Sequence, residues 1–343
     1  MITNHSFLSR DFKQTLRAYA FTPSRLFVLI QNYLYDMSRF TTYSSVLQFF
    51  SSKQHLLSWI DADYHKLEKG LALDKPRPGF GKGVAKRLIA EIEHHLNKYG
   101  DAPSIQNSLH VLTIYKEFNV EHNIHYPVLF NKIEHLNTTY QTQNGSGGFV
   151  NQNKDTWLAN AEKDLLPFFK SRRSVRDFSD EKIEYTLIEQ AVEMATYTPT
   201  VCNRQAVKVH AYLDKSERMK VISCQQGNAG FGDKVNAVLM VTVDRQCFFT
   251  AGERNQCWID GGLFSMSLVY ALHSLGLAAC CLNWSATKQQ DQKLRAVVNI
   301  NESEAVIMMI GVGHLKDHFK VAKSTRKDMS HFLVHGIKQP NSE

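Results

Sequence analysis

The chain has 343 residues, of which 43% are hydrophobic and 21% charged, an ordinary globular composition with room for two domains that sets aside a natively disordered protein. A formal charge of +7 and a pI near 9.0 suit an anionic cofactor, a nucleic acid or a membrane surface. The excess is spread over both halves with no long basic run and no nucleic-acid motif, so charge alone selects no partner and nucleic-acid binding is not expected.

The first residues, Met1 to Phe7, lack the charged-then-apolar layout of a secretory signal, and the expectation is a cytoplasmic protein. The aromatic-rich segment Leu26 to Phe50 reads as helical. Next, His65 to Gly70 places His65 and Glu68 three apart, the spacing of a surface pair on a helix face. In Lys75 to Gly83, glycines alternate with three cations, which suits either an anion cradle or a plain connecting loop; the spacing of a nucleotide P-loop is absent. Val84, Leu88, Ile92 and Leu96 repeat every fourth residue, and Ile105, Leu109 and Leu112 nearly so after a turn at Asp101 to Ser104. These are amphipathic helices, so residues 1–136 are expected to form an all-α domain. Residues 137–154, rich in Asn, Gln, Thr, Gly and Ser, read as a polar linker to a second domain over 155–343.

The second half alternates element types. Helices are expected at Trp157 to Lys170 and Glu181 to Tyr197, the latter stopped by Pro199. Strands are expected at Val207 to Leu213, Ala237 to Val243, Leu277 to Leu282 and Ala305 to Val312, with a long helix from Trp258 to Ser274 between the second and third. Leu263 to Leu282 carries no charge over a bilayer-spanning length, but Ser265, Ser267, His273, Ser274 and Gly276 interrupt it. It reads instead as a buried helix ended by Gly276 and a short strand, so no transmembrane segment is expected. All six cysteines lie in this half, at 202, 224, 247, 257, 280 and 281, without zinc-site spacing: a reduced, intracellular pattern, with Cys280 and Cys281 read as buried small side chains. A central sheet covered by helices is an α+β layout, and the absence of a Gly-x-Gly-x-x-Gly turn excludes a Rossmann reading.

Arg172-Arg173-Ser174-Val175-Arg176-Asp177-Phe178 puts three guanidiniums and a hydroxyl within five positions, a set able to hold a phosphate by charge-assisted hydrogen bonds. With Thr198-Pro199-Thr200-Val201-Cys202-Asn203-Arg204-Gln205, with Trp258 through Leu277, and with Ile310 to Gly313 followed by Lys323 to Arg326, it makes four pieces in order. Over residues 160–336 the chain thereby resembles the FMN-dependent nitroreductases. The resemblance implies a nitroreductase-like central mixed sheet flanked by helices. It implies that Arg172, Arg173 and Ser174 grip the FMN phosphate, that Arg176 reaches the pyrimidine edge, and that Arg326, with Lys323, returns to the phosphate. Asn203, supported by Gln205, would meet the polar rim of the ring, where its amide offers donor and acceptor together. It further implies electron supply from NAD(P)H to a small-molecule acceptor, and a homodimer with FMN between subunits.

Two departures stand out. The family's Gln-Pro-Trp is Gln205-Ala206-Val207 here, and the loop that brings a backbone amide near the reactive flavin nitrogen reads Asn283-Trp284-Ser285-Ala286. Ser285 and Ala286 are therefore backbone candidates only. The first domain, through His65 to Gly70 and Gly79-Phe80-Gly81, resembles the extra N-terminal region of nitroreductase-like proteins of bacterial surface-polysaccharide loci. Its expected role is to cover the flavin cleft and narrow substrate choice. The alternatives are a flavin enzyme that oxidises or fragments a dedicated biosynthetic substrate, and a non-catalytic binding module on the same fold.

Overall fold

The computed structural model describes residues 23–47, 52–140, 147–151, 164–322, 324 and 326–333. Five helices come first: α1 (Pro23–Tyr43), α2 (Lys53–Leu71), α3 (Lys82–Tyr99), α4 (Pro103–Glu121) and α5 (Pro127–Tyr140). Ser52 caps α2 by accepting from the His55 amide, and Pro103 starts α4 where a missing N–H is harmless. The four-residue repeat does the packing it predicts: Leu88, Ile92, Leu96, Ile105, Leu109 and Leu112 are all buried in one core with Ile60, Leu67 and Ile133. The Lys75 to Gly83 loop is tied inward, because Asn119 accepts from the Gly79 amide at 2.8 Å and Tyr115 donates to the Phe80 carbonyl at 2.6 Å. The Gly79 amide is thus already used within the chain. α5 runs to Tyr140, four residues into the stretch read as linker, where Asn137 bonds Thr113 at 2.7 Å.

The second half holds α6 (Leu165–Ser171), α7 (Tyr185–Thr196), β1 (Val207–Tyr212), α8 (Lys215–Ile222), β2 (Ala237–Asp244), α9 (Gln256–Ser274), β3 (Ala278–Asn283), α10 (Lys288–Arg295) and β4 (Glu304–Gly313). The fold is α+β. The four strands lie in the order β1-β2-β4-β3, each neighbouring pair antiparallel. β2 and β3, joined through α9, run in the same direction, but β4 inserts between them, so the parallel pairing of the expected mixed sheet is reduced to one isolated bridge, Ser174 to Ala279. β2 is buried along its whole length because α7 and α9 cover one face of the sheet while Val175, Phe178, Val221, Phe231 and Leu294 fill the other. Gly276, at φ 77°, ends α9, with the Leu277 amide donating to the Leu272 carbonyl at 2.9 Å. No helix among the described residues is long and apolar enough to cross a membrane.

The N-terminal helices also pack on this half. Arg39 of α1 bonds Glu302 at 3.1 Å and the Glu304 carbonyl at 3.2 Å, and Tyr35 donates to Asp291 at 2.8 Å. From α2, Trp59 stacks on Phe249 with ring centroids 4.1 Å apart, and Ser52 donates to Gln246 at 2.7 Å.

Candidate functional site

The arginine segment forms a rudimentary fifth strand on the free edge of β3. The Val175 amide donates to the Ala279 carbonyl at 3.2 Å, and further along Phe178 bridges Leu315. Buried Val175 and Phe178 anchor the segment, leaving Arg172, Arg173 and Ser174 half-buried and Arg176 exposed. Arg173 donates to the Arg172 carbonyl at 3.3 Å and Arg176 to the Ser174 carbonyl at 3.5 Å, while the Arg176 guanidinium lies 5.8 Å from the Phe231 ring centroid. Among the described residues, no carboxylate comes within ion-pair distance of these three guanidiniums; Asp177 pairs outward with Lys316 at 2.7 Å and Lys234 at 3.6 Å. Such a set is uncommitted and suited to an external anion. The segment sits at the C-terminal end of α9, where Ser171 and His273 are 2.7 Å apart. Burial, and then the Arg172 charge, hold the His273 imidazole below its usual range.

The second cluster is the turn from Thr198 to Gln205. Cys202, Asn203 and Gln205 all have positive φ, at 49°, 52° and 48°. Such strain persists only where the surroundings over-determine it. Here Arg204 does so: its guanidinium is buried, paired with Glu253, bonded to the Cys247 carbonyl and 4.3 Å from the Phe249 ring centroid. Asn203 and Gln205, on either side, are exposed. Gln205 donates to the Asn203 carbonyl at 3.4 Å, and Tyr64 of α2 stands beside the Asn203 amide, its hydroxyl pKa raised by burial. The turn is tied to the N-terminal end of α9, the Val201 amide donating to Asp260 at 3.2 Å.

The predicted residues therefore form two groups in one chain. Asp260 and His273 mark opposite ends of α9, separated by about 20 Å at 1.5 Å per residue. Ser285, exposed, accepts from Asn283 at 2.9 Å, and with Ala286 leads into α10. Arg326 is exposed and bonds the Ser324 carbonyl at 2.7 Å; no hydrogen bond or ion pair joins it to the arginine segment. Lys323 lies outside the described residues. Of the adjacent cysteines only Cys280 is buried, since strand alternation turns Cys281 to the exposed face, a correction to the reading that buried both. The role of Arg204 escaped the sequence reading, although a cation between Asn203 and Gln205 was in view. Arg39 and Arg245, also buried, carry no sequence signal.

Residues 169–240, about a fifth of the chain, match the model described as the nitroreductase family. No curated protein matches. Among solved structures, the chain is similar to an FMN-dependent nitroreductase from Clostridium difficile R20291 (18% identity, 50% of this chain and 98% of that one, TM-score 0.43). It is similar also to a nitroreductase family protein from Clostridium difficile 630 (17%, 51% and 100%, TM-score 0.44) and to B. megaterium NfrA2 (17%, 52% and 76%, TM-score 0.45). The stretch that matches this model carries the arginine segment, the Asn203 turn and β1.

Proposed function

We propose that the chain is an FMN-dependent oxidoreductase of nitroreductase type that takes reducing equivalents from NAD(P)H and passes them to a small organic acceptor, working as a cytoplasmic homodimer. The observation that carries this reading is the arginine segment: it lies in the family-matched stretch and offers three guanidiniums free of described carboxylates on an open sheet edge. That donor set fits a phosphate monoester. When bound, FMN supplies the hydride chemistry, and the protein supplies binding, orientation and electrostatics.

In this reading Arg172, Arg173 and Ser174 hold the phosphate, with Arg326 and Lys323 as further phosphate ligands. Arg176 sits at the pyrimidine edge, where its charge favours the anionic reduced ring. Asn203, oriented by the Arg204 clamp and supported by Gln205, meets the polar rim, and backbone amides at Ser285 and Ala286 face the reactive nitrogen. The separation of the two groups along α9 supports a site shared between two copies. Trp258, Ile259, Leu263 and Met266 form an exposed apolar stripe on that helix, between the two ends, suited to packing on a second α9. The edge of one copy would then meet the Asn203 turn of the other.

Titrating FMN into the purified chain is the test. Saturable binding with bleaching by NAD(P)H under anaerobic conditions is expected. R172A/R176A should bind FMN at least tenfold more weakly, each charge-assisted hydrogen bond contributing about 1.5 to 3 kcal/mol. Wild-type affinity in the double variant would remove the phosphate site from this edge. Binding of FMN without bleaching would favour a dedicated biosynthetic substrate as reductant, and no binding would favour a non-catalytic module.

A further inference from the structure

Beside the Trp284 to Ala286 loop, α1 roofs a cavity of about 150 Å3, roughly the size of the apolar cavity that accepts a benzene ring. Three guanidiniums line it, from Arg39, Arg245 and Arg295. Two are spent. Arg39 is held by Glu302 and by backbone carbonyls, and Arg295 by Asp291 at 2.8 Å and the Glu304 carbonyl at 2.6 Å. Arg245, 5% exposed, differs in that no carboxylate or carbonyl among the described residues is within hydrogen-bond reach of its guanidinium; its Nη1, like the Arg39 Nε, is buried without a partner. Asp36 on α1, also on the cavity wall, is the carboxylate that its charge feels, yet the two are not within ion-pair distance. A buried cation with an open donor is costly unless something pairs with it. Trp258 and Trp284 line the same space and offer flat apolar surface. Trp284 is fixed by its indole N–H to Asp291 at 3.2 Å.

We propose that this cavity is a recognition site for the carboxylate of a small, flat organic anion, held by Arg245 between α1 and the Trp284 to Ala286 loop. A single uncommitted guanidinium suits a monoanion better than a phosphate. As a substrate site it rests on the flavin reading, because Ser285 and Ala286 are the residues that reading sets against the ring; as a binding site it stands without it. The N-terminal helix thereby selects the acceptor, since Asp36 and Arg39 form one wall.

Calorimetric titration of the full chain, with and without FMN, tests this using benzoate and its neutral isostere benzamide. Benzoate is expected to bind saturably and at least tenfold more tightly than benzamide. R245Q should lose that preference. D36N, at an exposed position, should tighten benzoate several-fold by removing the competing carboxylate, and it decides the matter if R245Q fails to fold. Equal affinity for the two probes, binding of neither, or a benzoate affinity unmoved by D36N would overturn the proposal. Benzoate binding in a chain that refuses FMN would leave the cavity and end the flavin reading; FMN binding with no benzoate binding would do the reverse.

Discussion

Glu91 is the residue at which burial and charge conflict most sharply. Both of its carboxylate oxygens lack a hydrogen-bond partner, Arg87 stands 3.7 Å away, and Asp63 nearby is already satisfied by Arg87 and Lys66. Burial, then the charge of Asp63, push the Glu91 carboxyl up to about 8 from an ordinary 4.5. Between those values the folded chain holds a proton that the unfolded chain has released, so stability falls as pH rises from 4.5 through 8 and then levels. Glu91→Gln has no such slope. Its Tm is expected to gain on the wild type by several degrees between pH 5 and pH 9; a constant difference would show that Glu91 ionises normally. Arg204 gives the opposite case, a buried cation that is paired. Arg204→Met leaves the Glu253 carboxylate without its partner and frees a strained turn, and should cost about 3 to 5 kcal/mol in urea unfolding. A loss below 1 kcal/mol would mean that the clamp is not what holds Asn203.

Elements were legible where one local rule sufficed. The four-residue period of α3 and the β-branched runs of β1, β2 and β4 fall within a few residues of their expected bounds. Glu181 to Glu184 did not join α7, which starts at Tyr185 after the extended N-cap Glu184; the Glu181 amide donates instead to the Ser179 hydroxyl at 3.3 Å. The stop of α9 at Gly276 is testable by itself. A Cβ there would meet nothing within 4 Å, so Gly276→Ala carries only the left-handed backbone penalty, about 1 kcal/mol on thermal unfolding. A neutral effect would mean that the α9–β3 corner relaxes to negative φ.

For the whole molecule, two surfaces carry consequences. On α9 the exposed Trp258, Ile259, Leu263 and Met266 call for a partner, and Leu263→Lys should turn the expected dimer into a monomer by light scattering while FMN affinity falls with it. A dimer that survives the charge would place the interface elsewhere. On the other side, α1 and α2 contact α10, Phe249 and the Asn203 turn, so the helical region packs on the second half as well as around its own core. The two expected domains are thus joined by more than residues 137–154.

The sequence by itself determined the helix and strand periods, the α+β class and the arginine segment, because each depends on residues close together in the chain. Tertiary structure alone decided the rest. It set the arginine edge and the Asn203 turn at opposite ends of α9, spent the Gly79 amide on Asn119, turned Cys281 outward, and buried Arg245 under α1 with an open donor. Each of these hangs on which distant groups share a neighbourhood, and on whether a charge or N–H there is paired. Local periodicity carries no information about that.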